Sequence, residues 1–289
     1  MTTGSAGPAG PALRRHEGVL LVALTWVATA AFWRLSGPVA EAPLLEALMK
    51  LGVWAAIASA ALFLTGRREP SSVFARLGLA GRGGRITALV VVATLPMALT
   101  AIVVRRQPLS AEVVLANGLI GPLAEEVLFR GFLLFQLVTR AGWSPASALI
   151  VSSIVFGLAH IPGVESDVLA LLRGPVWTGG SWTFSDGVVV ASASGAEVWW
   201  RFVESRVPVL TASLVPYALG GVVFGWLALR CYCIWPAVAL HCLMNFWWDL
   251  ARGERFQPIA TADPMAVAQL VTVGLALWLT WRARSVATA

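Results

Sequence analysis

Charge is what this sequence has least of. Only 12% of its 289 residues are Asp, Glu, Lys or Arg, against roughly 25% in a soluble domain. A water-facing globular surface cannot be built from that supply, so a soluble enzyme or carrier is excluded. Lysine is reduced to Lys50, and the net charge of +6 otherwise rests on arginine. No compact basic patch with interleaved aromatics is present, which removes nucleic acid from the list of partners. Cysteine is limited to Cys231, Cys233 and Cys242. The Cys231-x-Cys233 spacing suits neither a zinc knuckle nor a thioredoxin motif, so free thiols are expected. No His-Glu-x-x-His occurs, so no helix turn presents two zinc ligands at once.

What is abundant is apolar: 58% of the chain, with a mean hydropathy of +0.77. The fold class that follows is all-α, a polytopic integral membrane bundle of about eight helices. Apolar segments fall at 18–35, 44–65, 86–104, 109–138, 143–162, 207–229, 232–251 and 264–282. Residues 1–17 read as a disordered polar tail, 18–104 as an N-terminal group of spans, and 105–289 as the second part. Ala28-Thr29-Ala30 resembles a signal-peptide cleavage site. The apolar run continues to Leu35, which favours an uncleaved anchor. Arg67, Arg68, Arg76, Arg82 and Arg85 form the densest basic cluster and, by the positive-inside rule, lie in the cytoplasm. Eight spans then leave both termini on that side, in a bacterial inner or plasma membrane. Arg105, Arg106, Arg252 and Arg255 fall in loops assigned to the outside.

Residues 163–206, between the fifth and sixth spans, differ in composition. They hold Trp177, Trp182, Trp199 and Trp200 among Gly, Ser and β-branched residues. WTFSDGVVV has the pattern of a small β-hairpin, and a short interfacial helix is expected around Glu197–Arg206. Tryptophan prefers the headgroup region, so the insertion reads as an interfacial cap. A lid or docking surface over a site is the sharper alternative.

Ionisable residues inside membrane spans are costly and point to function. Glu125 and Glu126 lie in GPLAEEVLFRGFLL, His160 ends SSIVFGLAH, and His241 lies in ALHCLMNFWWDL. Glu126 and Arg130 are four apart on one helix face and can pair as a buried brace. Glu125 points about 100° away without a basic partner four residues on, and is left to face a cavity as a general base. Phe156 and His160 share a face, and Pro162 ends that helix near His160. His241 and Asn245 also project together, with Asp249 one turn further. Histidine and a carboxamide can donate to one oxygen, as an oxyanion hole requires. Pairing of both glutamates with arginines on other helices, and a polar seam for His241 and Asn245, are the purely structural alternatives.

In chain order, Glu125-Glu126-x-x-x-Arg130, Phe156-x-x-x-His160 and His241-x-x-x-Asn245 resemble the three signature motifs of a family of intramembrane endopeptidases. This is the CAAX protease and bacteriocin-processing family, also called the abortive-infection or CPBP family. Gly131, after the arginine, fits its usual sequence, and the resemblance covers roughly residues 109–251. It implies that Glu125 and His160 activate water and that His241 and Asn245 polarise the scissile carbonyl. Glu126 and Arg130 take supporting roles. The implied partner is a membrane-associated protein or peptide substrate, cut near its end in the lipid bilayer, with C-terminal processing or sorting of exported proteins as one form of that activity. No cofactor is expected, although two histidines and a glutamate are also a His₂Glu zinc set. Prenyl-processing members open their site to the cytoplasm, whereas the insertion lies outside by the arginine count. The competing class is a non-catalytic scaffold, immunity factor or transporter, which would tolerate loss of Glu125 or His241.

Overall fold

A computed structural model describes residues 11–36, 42–64, 70–81, 83–104, 110–160, 176–178, 181–183, 189–191, 195–252 and 263–283. Among the described residues the regular structure is helical apart from one small sheet. Helices α1 (Pro11–Ser36), α2 (Pro43–Leu64) and the short α3 (Pro70–Arg76) come first. Next are α4 (Gly84–Ala93) and α5 (Leu95–Val104), parted only by Thr94, where Pro96 withholds an N–H from the ladder. Residues 111–139 form one composite rod: α6 (Ala111–Leu115), a π-turn segment (Ala116–Ile120), α7 (Gly121–Glu126), a second π segment (Val127–Leu134) and α8 (Phe135–Thr139). Helices α9 (Pro145–Ala159), α10 (Gly195–Cys231), α11 (Trp235–Arg252) and α12 (Pro264–Arg282) complete the bundle.

Among the described residues four stretches are long and apolar enough to cross a membrane: Pro43–Leu62, Gly84–Val104, Leu214–Cys231 and Pro264–Arg282. His16–Ala30 and Pro145–Ala159 are shorter apolar helices. The two stretches that carry most of the polar motifs, residues 111–139 and Trp235–Arg252, are helical without reaching that standard. Their ionisable residues lower the apolarity, and the first is interrupted by π turns.

The helix starts follow local chemistry. Ser144 accepts a hydrogen bond from the Ser147 N–H at 3.1 Å, with Pro145 in the first turn. Asp263 accepts from the Met265 N–H at 2.9 Å, ahead of Pro264. Both are N-caps followed by a proline whose missing N–H costs nothing there.

The 163–206 region divides. Strands β1 (Val176–Thr178), β2 (Ser181–Thr183) and β3 (Val189–Ala191) form an antiparallel meander, with Trp182 opposite Val190. The Ser-Asp-Gly turn expected between β2 and β3 lies outside the described residues, as do 161–175. The helix expected around Glu197–Arg206 is not separate. It is the first part of α10, which runs unbroken for 37 residues into the next span.

Helices α9 and α10 pack closely because small residues line their seam. A Cβ on Gly157 would meet the Ala218 backbone nitrogen at 3.1 Å, and one on Gly221 would meet Ser153 Cα at 2.9 Å. Close approach through glycine is the usual device where lipid gives no hydrophobic drive between helices. Gly131 plays the same part elsewhere, with its added Cβ falling 2.7 Å from the Leu77 carbonyl oxygen.

Candidate active site

The three motifs meet. Glu125 sits on α7, His160 caps the end of α9, and His241 and Asn245 lie on α11; all four line one cavity of about 230 Å³. Glu125 Oε2 is 3.1 Å from His160 Nε2 and 3.7 Å from His241 Nε2. One carboxylate oxygen therefore stands between two imidazole nitrogens.

Hydrogen bonding determines where the protons are. His160 Nδ1 lies 2.7 Å from the Phe156 carbonyl oxygen, which can only accept, so that nitrogen carries a proton. Its Nε2 then faces a carboxylate oxygen at 3.1 Å, and a contact between two acceptors requires a second proton. Glu125 and His160 thus share one proton, positioned for transfer. His241 has a parallel arrangement: Nδ1 donates to Glu126 Oε1 at 2.8 Å, leaving Nε2 on the cavity side.

Glu126 is fully buried and also lies 3.1 Å from Arg130 through the same Oε1. The brace expected between Glu126 and Arg130 is present, but it has a second task, which is to orient His241. Arg130 stacks over Phe156, with Cζ 4.2 Å from the ring centroid, and reaches the Gly221 carbonyl at 3.4 Å. Aromatic rings also hold the histidines: Tyr217 stacks on His160 at 4.5 Å and Phe224 on His241 at 4.6 Å.

Asn245 is placed by the π turn. The Gly121 N–H bonds to the Ala116 carbonyl, in the i→i+5 register. The next carbonyl in that register belongs to Asn117 and would be met by residue 122, which is proline and has no N–H. Asn245 Nδ2 donates to this carbonyl at 3.1 Å. One of its amide protons is so anchored, and the other remains to serve the cavity.

One residue of the site escaped the sequence reading. Lys50, on α2, places Nζ 2.7 Å from Glu125 Oε1. Its ammonium also lies 5.0 Å from the Trp54 ring centroid and 5.5 Å from that of Phe32. Glu125, which lacks a basic partner on its own helix, has one from another. The available signal was a lone lysine inside an apolar span, the same kind of anomaly that drew attention to the glutamates.

Residues 107–247 match the model of the type II CAAX prenyl endopeptidase Rce1-like family. That segment takes in all three motifs. Over that segment the chain is similar to the CAAX protease family. Outside and inside that segment, four of the described helices are long and apolar enough to cross a membrane. No curated protein and no solved structure matches the chain. Within the family segment the motif residues converge on Glu125, while Lys50 reaches the same carboxylate from outside it.

Proposed function

We propose that the chain is an intramembrane endopeptidase in which Glu125 and His160 activate water and His241 and Asn245 stabilise the oxyanion. The observation that carries this reading is the position of Glu125 Oε2 between the Nε2 atoms of His160 and His241 on the wall of the cavity. Water entering beside Oε2 loses a proton to the Glu125–His160 pair as its oxygen attacks the scissile carbonyl carbon. The carbonyl electrons move onto oxygen, where His241 Nε2–H and the free Asn245 amide proton receive them. His241 donates from Nε2 only as an imidazolium, and Glu126 supplies the accompanying negative charge at Nδ1. Collapse breaks the C–N bond, and the proton held by Glu125–His160 passes to the leaving amine. Donors fixed in place before the charge develops are the largest single source of rate in such sites.

A metal-free form of this mechanism is the version proposed. Two histidines and a glutamate satisfy the donor chemistry of a zinc site. Here, however, the Lys50 ammonium already occupies Glu125 Oε1, and a second cation at that carboxylate would have to displace it or work against it. Among the described residues no three His, Cys, Asp or Glu side chains are disposed to hold a metal ion. Activity that survives chelation, in protein without stoichiometric zinc, is the expected result; tightly bound stoichiometric zinc contradicts this form.

The substrate is a membrane-associated polypeptide, and C-terminal processing of an exported protein is the form of the reaction considered. The test compares membrane and secreted proteomes of cells carrying wild-type protein or Glu125→Gln. Uncleaved precursors should accumulate in the variant. Identical proteomes, with the variant present at wild-type level, would remove the protease reading.

A further inference from the structure

We infer that the cavity is entered from the extracytoplasmic side of the membrane, so that its substrate is a translocated polypeptide whose scissile bond reaches the outer half of the bilayer. This rests on the protease reading for the substrate's chemistry, but the direction of entry is argued independently of it.

The described helices define two ends of the bundle. At one end, Arg76 bonds to the carbonyl of Leu62 near the close of α2 and to Gln136 in α8. Arg230, near the end of α10, donates to Trp281 and Ala283 at the close of α12. Arg140, beyond α8, pairs with Glu17 in α1. The Ile234 N–H, between α10 and α11, reaches the Gly78 carbonyl at 3.3 Å. At the other end, the Leu44 N–H at the start of α2 meets Glu112 Oε1 at the start of α6. There, too, Trp248 late in α11 meets Gln269 early in α12.

Charge is divided unevenly between these ends. The first has Arg76, Arg85, Arg140, Arg230 and Arg282, with Arg14 and Arg15 opening α1. The second has Glu46, Glu112 and Asp249 on helices, Asp263 capping α12, and Glu197 and Glu204 in the opening part of α10, against Arg34, Arg201, Arg206 and Arg252. The positive-inside rule puts the arginine-rich end in the cytoplasm.

The cavity opens toward the other end. Its wall extends from Glu125 to Pro43, the first residue of α2, and to Asn117, Asp249 and Gln269, all on the acidic side. Toward the arginine-rich end it is closed: every residue from Val127 to Leu137 is buried. Leu128, Phe129, Phe132, Leu133 and Leu134 have no exposed surface at all. The polar residues in that stretch are tied down, Arg130 to Glu126 and Gln136 to Arg76. A peptide can therefore approach Glu125 from the acidic end and not from the arginine-rich one.

The test uses the full chain with Cys231, Cys233 and Cys242 replaced by alanine. Single cysteines are introduced as Glu46→Cys and Gln269→Cys at the mouth, and as Arg85→Cys at the opposite end. Intact cells are treated with a membrane-impermeant maleimide, before and after permeabilisation. Both mouth cysteines should react in intact cells, and Arg85→Cys only after permeabilisation. The reverse pattern, or mouth cysteines unreactive from either side, overturns the inference. Because labelling does not require hydrolysis, a protein labelled as expected but indifferent to Glu125→Gln would refute the protease reading alone.

Discussion

Replacing Lys50 with methionine tests how the carboxylate proposed to activate water, Glu125, is held. Methionine keeps the length of the side chain and its packing against Phe32 and Trp54 but removes the ammonium 2.7 Å from Glu125 Oε1. The Glu125 side chain is only 8% exposed, so its charge loses its nearest neutralising partner within the protein. Breaking one side of a buried ion pair typically costs about 3–5 kcal/mol. His160 at 3.1 Å and His241 at 3.7 Å still face the same carboxylate, which puts Lys50→Met near the lower figure, about 3 kcal/mol. The cost should vanish in Lys50→Met/Glu125→Gln, where neither charge remains, whereas Lys50→Arg should recover much of it. Denaturation in mixed detergent micelles measures the stabilities, and cleavage by Lys50→Met and Lys50→Arg gives the kinetic side. With Oε1 released, Oε2 is no longer held between the histidines, so kcat should fall while KM changes little. If Lys50→Met were as stable and as active as wild type, the Lys50–Glu125 pair would have no part in building the site.

The other motif residues make separable predictions. Asn245→Ala should lower kcat by roughly 10²–10³, with near-normal yield from membranes, because the loss is of one oxyanion donor. Glu126→Gln should be worse for folding than Glu125→Gln. It leaves Arg130, only 2% exposed, without its carboxylate, at a cost of about 3–5 kcal/mol, visible as reduced accumulation and earlier denaturation. Gly131→Ala places a methyl 2.7 Å from the Leu77 carbonyl oxygen and should destabilise by about 1–3 kcal/mol without altering the pH–rate profile of the protein that remains.

The motifs were legible because their logic is local. Four-residue spacings put Glu126 with Arg130, Phe156 with His160, and His241 with Asn245 on shared helix faces before any tertiary contact is known. The separation of Glu125 from the Glu126–Arg130 pair came from the same geometry. Contacts between helices were not legible. Lys50 meets Glu125 across 75 residues of sequence, and nothing in the period of α2 says which helix it faces. The π segments around α7 were equally hidden, since Pro122 signals a local break without saying that the register will widen and free the Asn117 carbonyl. The second function of Glu126 depends on where α11 packs. In the insertion, turn chemistry pointed to the pairing of β2 with β3. The expected boundary between an interfacial helix and the next span is absent, because α10 continues through it.

The tightly filled stretch from Val127 to Leu137 has a consequence beyond directing the substrate. The proposed mechanism brings water into the bilayer beside a row of groups able to pass protons: Glu125, His160, His241 and Glu126. Were that row to continue through the molecule, each copy would be a leak across an energised membrane. Below the glutamates Arg130 is a fixed cation among leucine and phenylalanine side chains, and the next polar residue of the rod, Gln136, is bonded to Arg76. On that mechanism, the packing below the glutamates would also keep the row from running on through the bundle as a proton path.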